Sequence, residues 1–104
     1  MAYRIVRHPE VEQDLENILV LILDYAGPEI ARRKLAEIEA SIESLADTPH
    51  QGTLRHEIYP GLRAIPTARK GVVCFTIDED GQEVQLVAVA YAGQEWSKMV
   101  ADRG

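Results

Sequence analysis

The sequence predicts an α+β fold in the order β-α-α-β-β-β, with a helical hairpin packed on one face of a mostly antiparallel four-stranded sheet. Two observations carry this. Residues 11–45 place apolar side chains at helical spacing, interrupted once at Gly27-Pro28, whereas residues 62–91 form apolar and β-branched runs separated by turn residues. Two helices ahead of a run of strands segregate to one side of the sheet.

Tyr3 and Ile5 alternate with Arg4 and Val6, a strand over residues 2–7. Pro9 suits the first turn of a helix, and Glu10, Glu12 and Asp14 complement the positive end of its dipole. Val11, Leu15, Ile18, Leu19, Ile22 and Tyr25 form one apolar face. Val20, Leu21 and Leu23 widen it, which predicts a helix covered on more than one side. Gly27-Pro28 stops this helix and starts a second, from Pro28 to about Asp47, with a seam of Ala31, Leu35, Ile38, Ile42 and Leu45.

Residues 48–61 read as a polar loop, a length that is often functional in a small domain. Leu62 to Ile65 is a short strand stopped by Pro66. Gly71–Asp78 and Glu83–Tyr91 are a hairpin turned at Asp78-Glu79-Asp80-Gly81, with Gly81 expected to supply a positive φ. The last strand is apolar on both faces, with Val84, Leu86 and Ala88 on one and Val87, Val89 and Tyr91 on the other. Such a strand is interior and covered on both sides. Residues 94–102 form a short terminal helix.

With 104 residues the chain suffices for one domain, read as 1–104. The longest apolar stretch, Ile18–Leu23, is far short of a membrane span, and the N-terminus lacks the apolar segment of a signal peptide, so a cytoplasmic protein is expected. The lone Cys74 fits that compartment and lies in an apolar run, as a buried thiol does. His8, His50 and His56 are not spaced as metal ligands, and no phosphate loop or nucleophile elbow is present, so neither metal nor cofactor is expected.

The net charge of −6 is uneven. Residues 1–50 hold five basic against ten acidic residues, a net of −5. Residues 53–77 hold Arg55, Arg63, Arg69 and Lys70 against Glu57 alone, a net of +3. An acidic chain is repelled by polyphosphate, which argues against sequence-specific nucleic-acid binding. The local basic zone reads either as a contact for an acidic partner or a few phosphates, or as scattered surface charge.

Several short matches, in order, are similar to the RelE/ParE toxins of type II toxin–antitoxin pairs. They are His8-Pro9 with Asp14-Leu15, the hairpin broken at Gly27, Leu45 with Thr48-Pro49 and Gly52, Pro60-Gly61-Leu62-Arg63, and Val87-Ala88-Val89-Ala90-Tyr91. The resemblance implies a small toxin, associated with plasmid stabilisation and neutralised by a cognate antitoxin, with higher-order toxin–antitoxin assembly expected. The second face of the last strand is then covered by that antitoxin, by Trp96, Met99 and Val100 of the terminal helix, or by both.

The chain resembles the ParE branch more than the ribosome-dependent, messenger-RNA-cutting RelE branch. RelE-type cleavage needs a base, a phosphate clamp and an acid. The set available here is Glu57 or His56, Arg63 and Tyr91, and the third strand opens with Gly71-Val72 where those nucleases commonly place an arginine. Each of these residues also has a plain structural reading: solvated loop groups for His56 and Glu57, an ion pair with a helix carboxylate for Arg63, a buried ring for Tyr91. The ParE branch implies instead a protein that inhibits DNA gyrase by protein–protein binding. Its anchors are aromatic and arginine residues, here Arg55, Tyr59, Arg63, Arg69 and Trp96, the last reading first as a lid on the core. A toxin that binds antitoxin without being toxic is the third reading.

Overall fold

The computed structural model describes residues 2–103, in which the N-terminal alternation becomes an edge strand, β1 (Arg4–Arg7). Pro9 does not open the first helix. It lies in a turn where the Val11 N–H donates to the His8 carbonyl (3.0 Å) and the Glu10 N–H to His8 Nδ1 (3.1 Å). The His8 ring thus satisfies a backbone donor ahead of the helix, and α1 runs Val11–Ala26. Gly27 at φ +88° ends it, and Pro28 opens α2 (Pro28–Ser44). The helix stops short of Asp47 because the Leu45 and Ala46 N–H groups bond three residues back, a tighter winding.

The sheet has five strands, not four. The predicted polar loop contains β2 (Thr53–Leu54), whose two residues pair with Ala64 and Arg63 of β3 (Arg63–Thr67). Two residues are too few to show a period in sequence. Pro66 does not stop β3 but lies within it. β2 reaches only as far as Ala64, so at Pro66 the strand is an edge, where a missing N–H is tolerated. Strands β4 (Gly71–Asp78) and β5 (Glu83–Tyr91) complete the order β1-β5-β4-β3-β2, with β1 parallel to β5 and all other pairs antiparallel. In the β4–β5 turn the positive φ falls on Gln82 (+50°), not on Gly81, whose N–H bonds Asp78 Oδ1 (3.1 Å).

β5 is interior, as expected, but its two faces are divided differently. Cys74 pairs with Ala88 and Phe75 with Leu86, so Val87 is the extra residue of a β-bulge. The bulge reverses the alternation. Val84, Leu86, Val89 and Tyr91 all join the core beneath the helical hairpin, with Ile18, Ile22, Ile38 and Phe75. Val87 and Ala88 face the other side, where they join Leu62, Cys74 and Val100.

That second side is covered by α3 (Trp96–Arg103), whose Trp96, Met99 and Val100 pack on Leu62, Cys74 and Ala88. The wide apolar face of α1 is not covered twice. Val11, Ile18 and Ile22 are buried, whereas Val20, Leu21, Leu23 and Tyr25 are 39–56% exposed. Among the described residues no helix is long and apolar enough to cross a membrane.

Candidate target-binding surface

The run Pro60-Gly61-Leu62-Arg63 closes a tight loop. Gly61 takes φ +78° and its N–H donates to His56 Nδ1 (3.1 Å); the Leu62 N–H bonds the Tyr59 carbonyl, and the Arg55 N–H bonds the Leu62 carbonyl. Fully buried Leu62 anchors the loop in the α3-side core. The loop therefore carries Arg55 and Tyr59 to the flank of α3. Arg55 lies 5.0 Å from the Trp96 ring centroid, a cation–π stack, and its Nε donates to Glu57 Oε2 (2.5 Å). Tyr59 is half-buried and lines a cleft of about 290 Å³ with Val6, His8, Thr76, Val87 and Arg103.

Three of the five predicted anchors, Arg55, Tyr59 and Trp96, thus share one half-exposed surface. Arg63 points to the hairpin side, opposite Phe75 of the hairpin-side core, and its guanidinium donates to the Gln51 carbonyl (3.3 Å). No described carboxylate pairs with it. Arg69 sits exposed in the β3–β4 turn at φ +66°.

The acid–base groups do not converge. The Arg55 hydrogen bond, with its own backbone N–H, holds the Glu57 carboxyl below the usual carboxylate range, which makes it a weak base. Glu57 and His56 stand on the α3 side, whereas Tyr91 belongs to the hairpin-side core and aims its hydroxyl at that of Tyr25 (3.5 Å). Burial first, and the Tyr25 hydrogen bond second, push the Tyr91 phenol up to about 12. A phenol raised in the folded state adds stability that is complete below its unfolded value near 10 and is lost as pH rises toward 12. Spectrophotometric titration of the native protein should therefore show a tyrosine step near pH 12 that Tyr91→Phe removes. A Tyr91→Phe titration identical to the parent would contradict this placement. Cys74 is fully buried and its thiol is likewise pushed up to about 12, chiefly by desolvation, as suits an inert core group. Among the described residues no three His, Cys, Asp or Glu side chains gather as a metal site.

Sequence reasoning did not find the pair that ties α3 down. Strand β1 ends at Arg7, opposite Leu86, so the outer edge of β5 beyond that point has no strand partner. Side chains take over the ladder. Arg103 Nη1 donates to the Val87 carbonyl (3.1 Å), Asp14 Oδ2 accepts from the Val89 N–H (3.0 Å), and Gln94 Oε1 accepts from the Tyr91 N–H (2.9 Å). Asp14 and Arg103 also meet through two parallel bonds of 2.6 and 2.7 Å. An Asp in the first turn of a helix reads as a dipole complement, and nothing in the sequence links it to a residue 89 positions away.

The family described as ParE toxin of type II toxin–antitoxin system, parDE, matches residues 5–96. Among solved structures, a chain of the chromosomal ParDE toxin–antitoxin system from P. aeruginosa is 22% identical. The match covers 88% of this chain and 97% of that one, with a TM-score of 0.74. A chain of the toxin–antitoxin complex RelBE2 from Mycobacterium tuberculosis is 15% identical, covering 88% and 100%, with a TM-score of 0.59. A double arginine-to-alanine mutant of the E. coli toxin RelE in the free state is 13% identical, covering 98% and 96%, with a TM-score of 0.62. None of the curated proteins matches the chain.

Proposed function

The chain belongs to the ParE toxin family of type II toxin–antitoxin systems, and from that premise we propose that it acts in the cytoplasm by binding DNA gyrase through the surface around Arg55 and Trp96. The family implies a cognate antitoxin as its partner. The fold does not choose between inhibition and RNA cleavage, because it is shared with RelE proteins.

The observation that carries the proposal is the stacking of Arg55 on Trp96 beside Tyr59, on a surface with no convergent acid and base. Trp, Tyr and Arg are the residues that dominate protein interfaces, and a stacked guanidinium is already ordered, so binding costs it little further entropy. RNA cleavage has no comparable support, since its base and acid stand on opposite sides of the sheet.

Purified toxin should inhibit gyrase supercoiling, and induced expression should arrest growth with the DNA-damage response on and messenger RNA intact. Arg55→Ala should raise the concentration needed for half-inhibition roughly 30-fold, about 2 kcal/mol. Arg55 stacks on the outside of half-exposed Trp96 and is not a member of either apolar core cluster, so the variant should fold. Normal supercoiling in excess toxin, or an Arg55→Ala protein as potent as the parent, would sink the proposal. Arrest with cleaved RNA would point to nuclease action instead.

A further inference from the structure

Helix α3 covers only part of its side of the sheet. It packs on Leu62, Cys74 and Ala88, while Val6, Thr76, Gln85 and Val87 line the cleft of about 290 Å³. Val6 and Thr76 both lie opposite Gln85 on neighbouring strands, so the three share one face and form the floor. Tyr59, His8, Pro9 and Arg103 stand around it. The His8-Pro9 pair, which has no part in the Arg55–Trp96 stack, therefore borders the same cleft as Tyr59. Tyr59 in turn belongs to the loop that carries Arg55, so the cleft is continuous with that surface.

The cleft offers apolar walls and two open donors, and no unpaired charge. Arg7 is held by Glu39 and Arg103 by Asp14. Val6 is 42% exposed, and Val87 and the Tyr59 ring are half-buried. His8 Nδ1 accepts the Glu10 N–H at 3.1 Å, so the neutral ring carries its proton on Nε2. Among the described residues neither that N–H nor the Tyr59 hydroxyl has a hydrogen-bond partner, and neither is sealed from solvent. Sites for drug-sized ligands and cofactors run from about 300 to 1,000 Å³. A cleft just below that range has room for a single aromatic ring, and its paired arginines leave nothing to hold a phosphate.

We propose that this cleft receives one tyrosine side chain of the target protein, its ring against Tyr59 over Val6 and Val87 and its hydroxyl accepting from His8 Nε2. The pocket extends the Arg55–Trp96 surface and depends on the reading of that surface as the target-binding face. Interfaces concentrate their energy where an aromatic anchor fills a pocket ringed by weaker contacts. A leucine would displace water from both donors and give them no acceptor. A charged side chain would find every nearby opposite charge already paired.

The test titrates p-cresol, the tyrosine side chain as a free molecule, into the protein and follows backbone amide chemical shifts. Shifts should gather at Val6, His8, Tyr59, Thr76 and Val87 and saturate with a dissociation constant of about 1–10 mM. Cyclohexanol has a similar size and a hydroxyl but no π-face, and should bind about threefold more weakly. His8→Asn keeps an acceptor for the Glu10 N–H and removes the Nε2 donor, so it should weaken p-cresol about threefold. Val6→Phe fills the cleft from a half-exposed edge strand, where phenylalanine is well tolerated. It should abolish p-cresol binding and raise the toxin concentration for half-inhibition of gyrase at least tenfold. Arg55→Ala should weaken gyrase inhibition while p-cresol binds as before, so the cleft and the gyrase reading can fail separately. No shifts at these residues, a Val6→Phe protein as potent as the parent, or tighter binding of uridine monophosphate than of p-cresol there would overturn the proposal.

Discussion

Replacing Asp14 by alanine is expected to destabilise the protein by about 3–5 kcal/mol, the cost of breaking a buried ion pair by removing one partner. Asp14 is 5% exposed and the Arg103 side chain only 10%. The substitution leaves the guanidinium without its two carboxylate bonds and the Val89 N–H without an acceptor inside the core. The loss does not stay local, because Arg103 is the last residue of α3 and holds that helix to β5. Freed from Asp14, α3 should lift from Leu62, Cys74 and Ala88 and expose Trp96, the only tryptophan. Urea unfolding followed by Trp96 fluorescence should show a lower midpoint and, before the main transition, a shift toward the emission of solvated indole. Arg103→Ala should cost a similar amount, and the double variant should cost less than the sum of the two. A midpoint unchanged in Asp14→Ala would mean that the pair does not hold α3.

Gly52→Ala should cost about 3 kcal/mol, although Gly52 lies in a polar loop. Two effects add. The residue sits at φ +79°, where a Cβ costs roughly 1–2 kcal/mol. The added carbon would also overlap the backbone carbonyl of Ala64 and Cγ2 of Ile65, and relieving such an overlap costs about 1–3 kcal/mol. Relief requires β2 to move away from β3, and with it the loop that carries Arg55. Gly61→Ala is the matched control. Its φ is +78°, yet no atom lies within 4 Å of its added Cβ, so it should lose only the conformational part, about 1–2 kcal/mol. Thermal or urea unfolding of the pair separates the two effects. Equal losses would mean that the close approach of Gly52 to β3 carries no weight.

These two sites also show why some features could be read in advance and others not. The helices could be read because their signal is local and repeated. Val11, Ile18 and Ile22 on α1, and Ala31, Ile38 and Ile42 on α2, recur at helical spacing, and all six are buried. Gly27-Pro28 states the break between them in two residues. β2 could not be read, since Thr53-Leu54 has no period and is a strand only because β3 passes beside it. The two faces of β5 were misassigned for a related reason. Strict alternation puts Ala88 with Leu86, and the bulge at Val87 that separates them exists only through pairing with β4.

The sites divide in the same way. Arg55, Tyr59 and Trp96 could be named from residue type and from their place in a loop and a terminal segment, but their meeting on one surface depends on the turn closed at Gly61. Arg32, Arg33 and Lys34 look like minor terms in an acidic half-chain. They become a basic cluster only when the hairpin end meets Arg69 and Lys70.

The α+β class, the helical hairpin and the toxin family were legible in the chain, because each rests on signals between residues near in the chain or on their order along it. Tertiary structure alone decided the fifth strand, the reversal of faces in β5, the Asp14–Arg103 clasp and the grouping of charges into two separate surfaces. Each of those depends on contacts between residues far apart in sequence, whose partners are set by packing and by the need to satisfy buried backbone groups, and neither leaves a periodic trace in the chain.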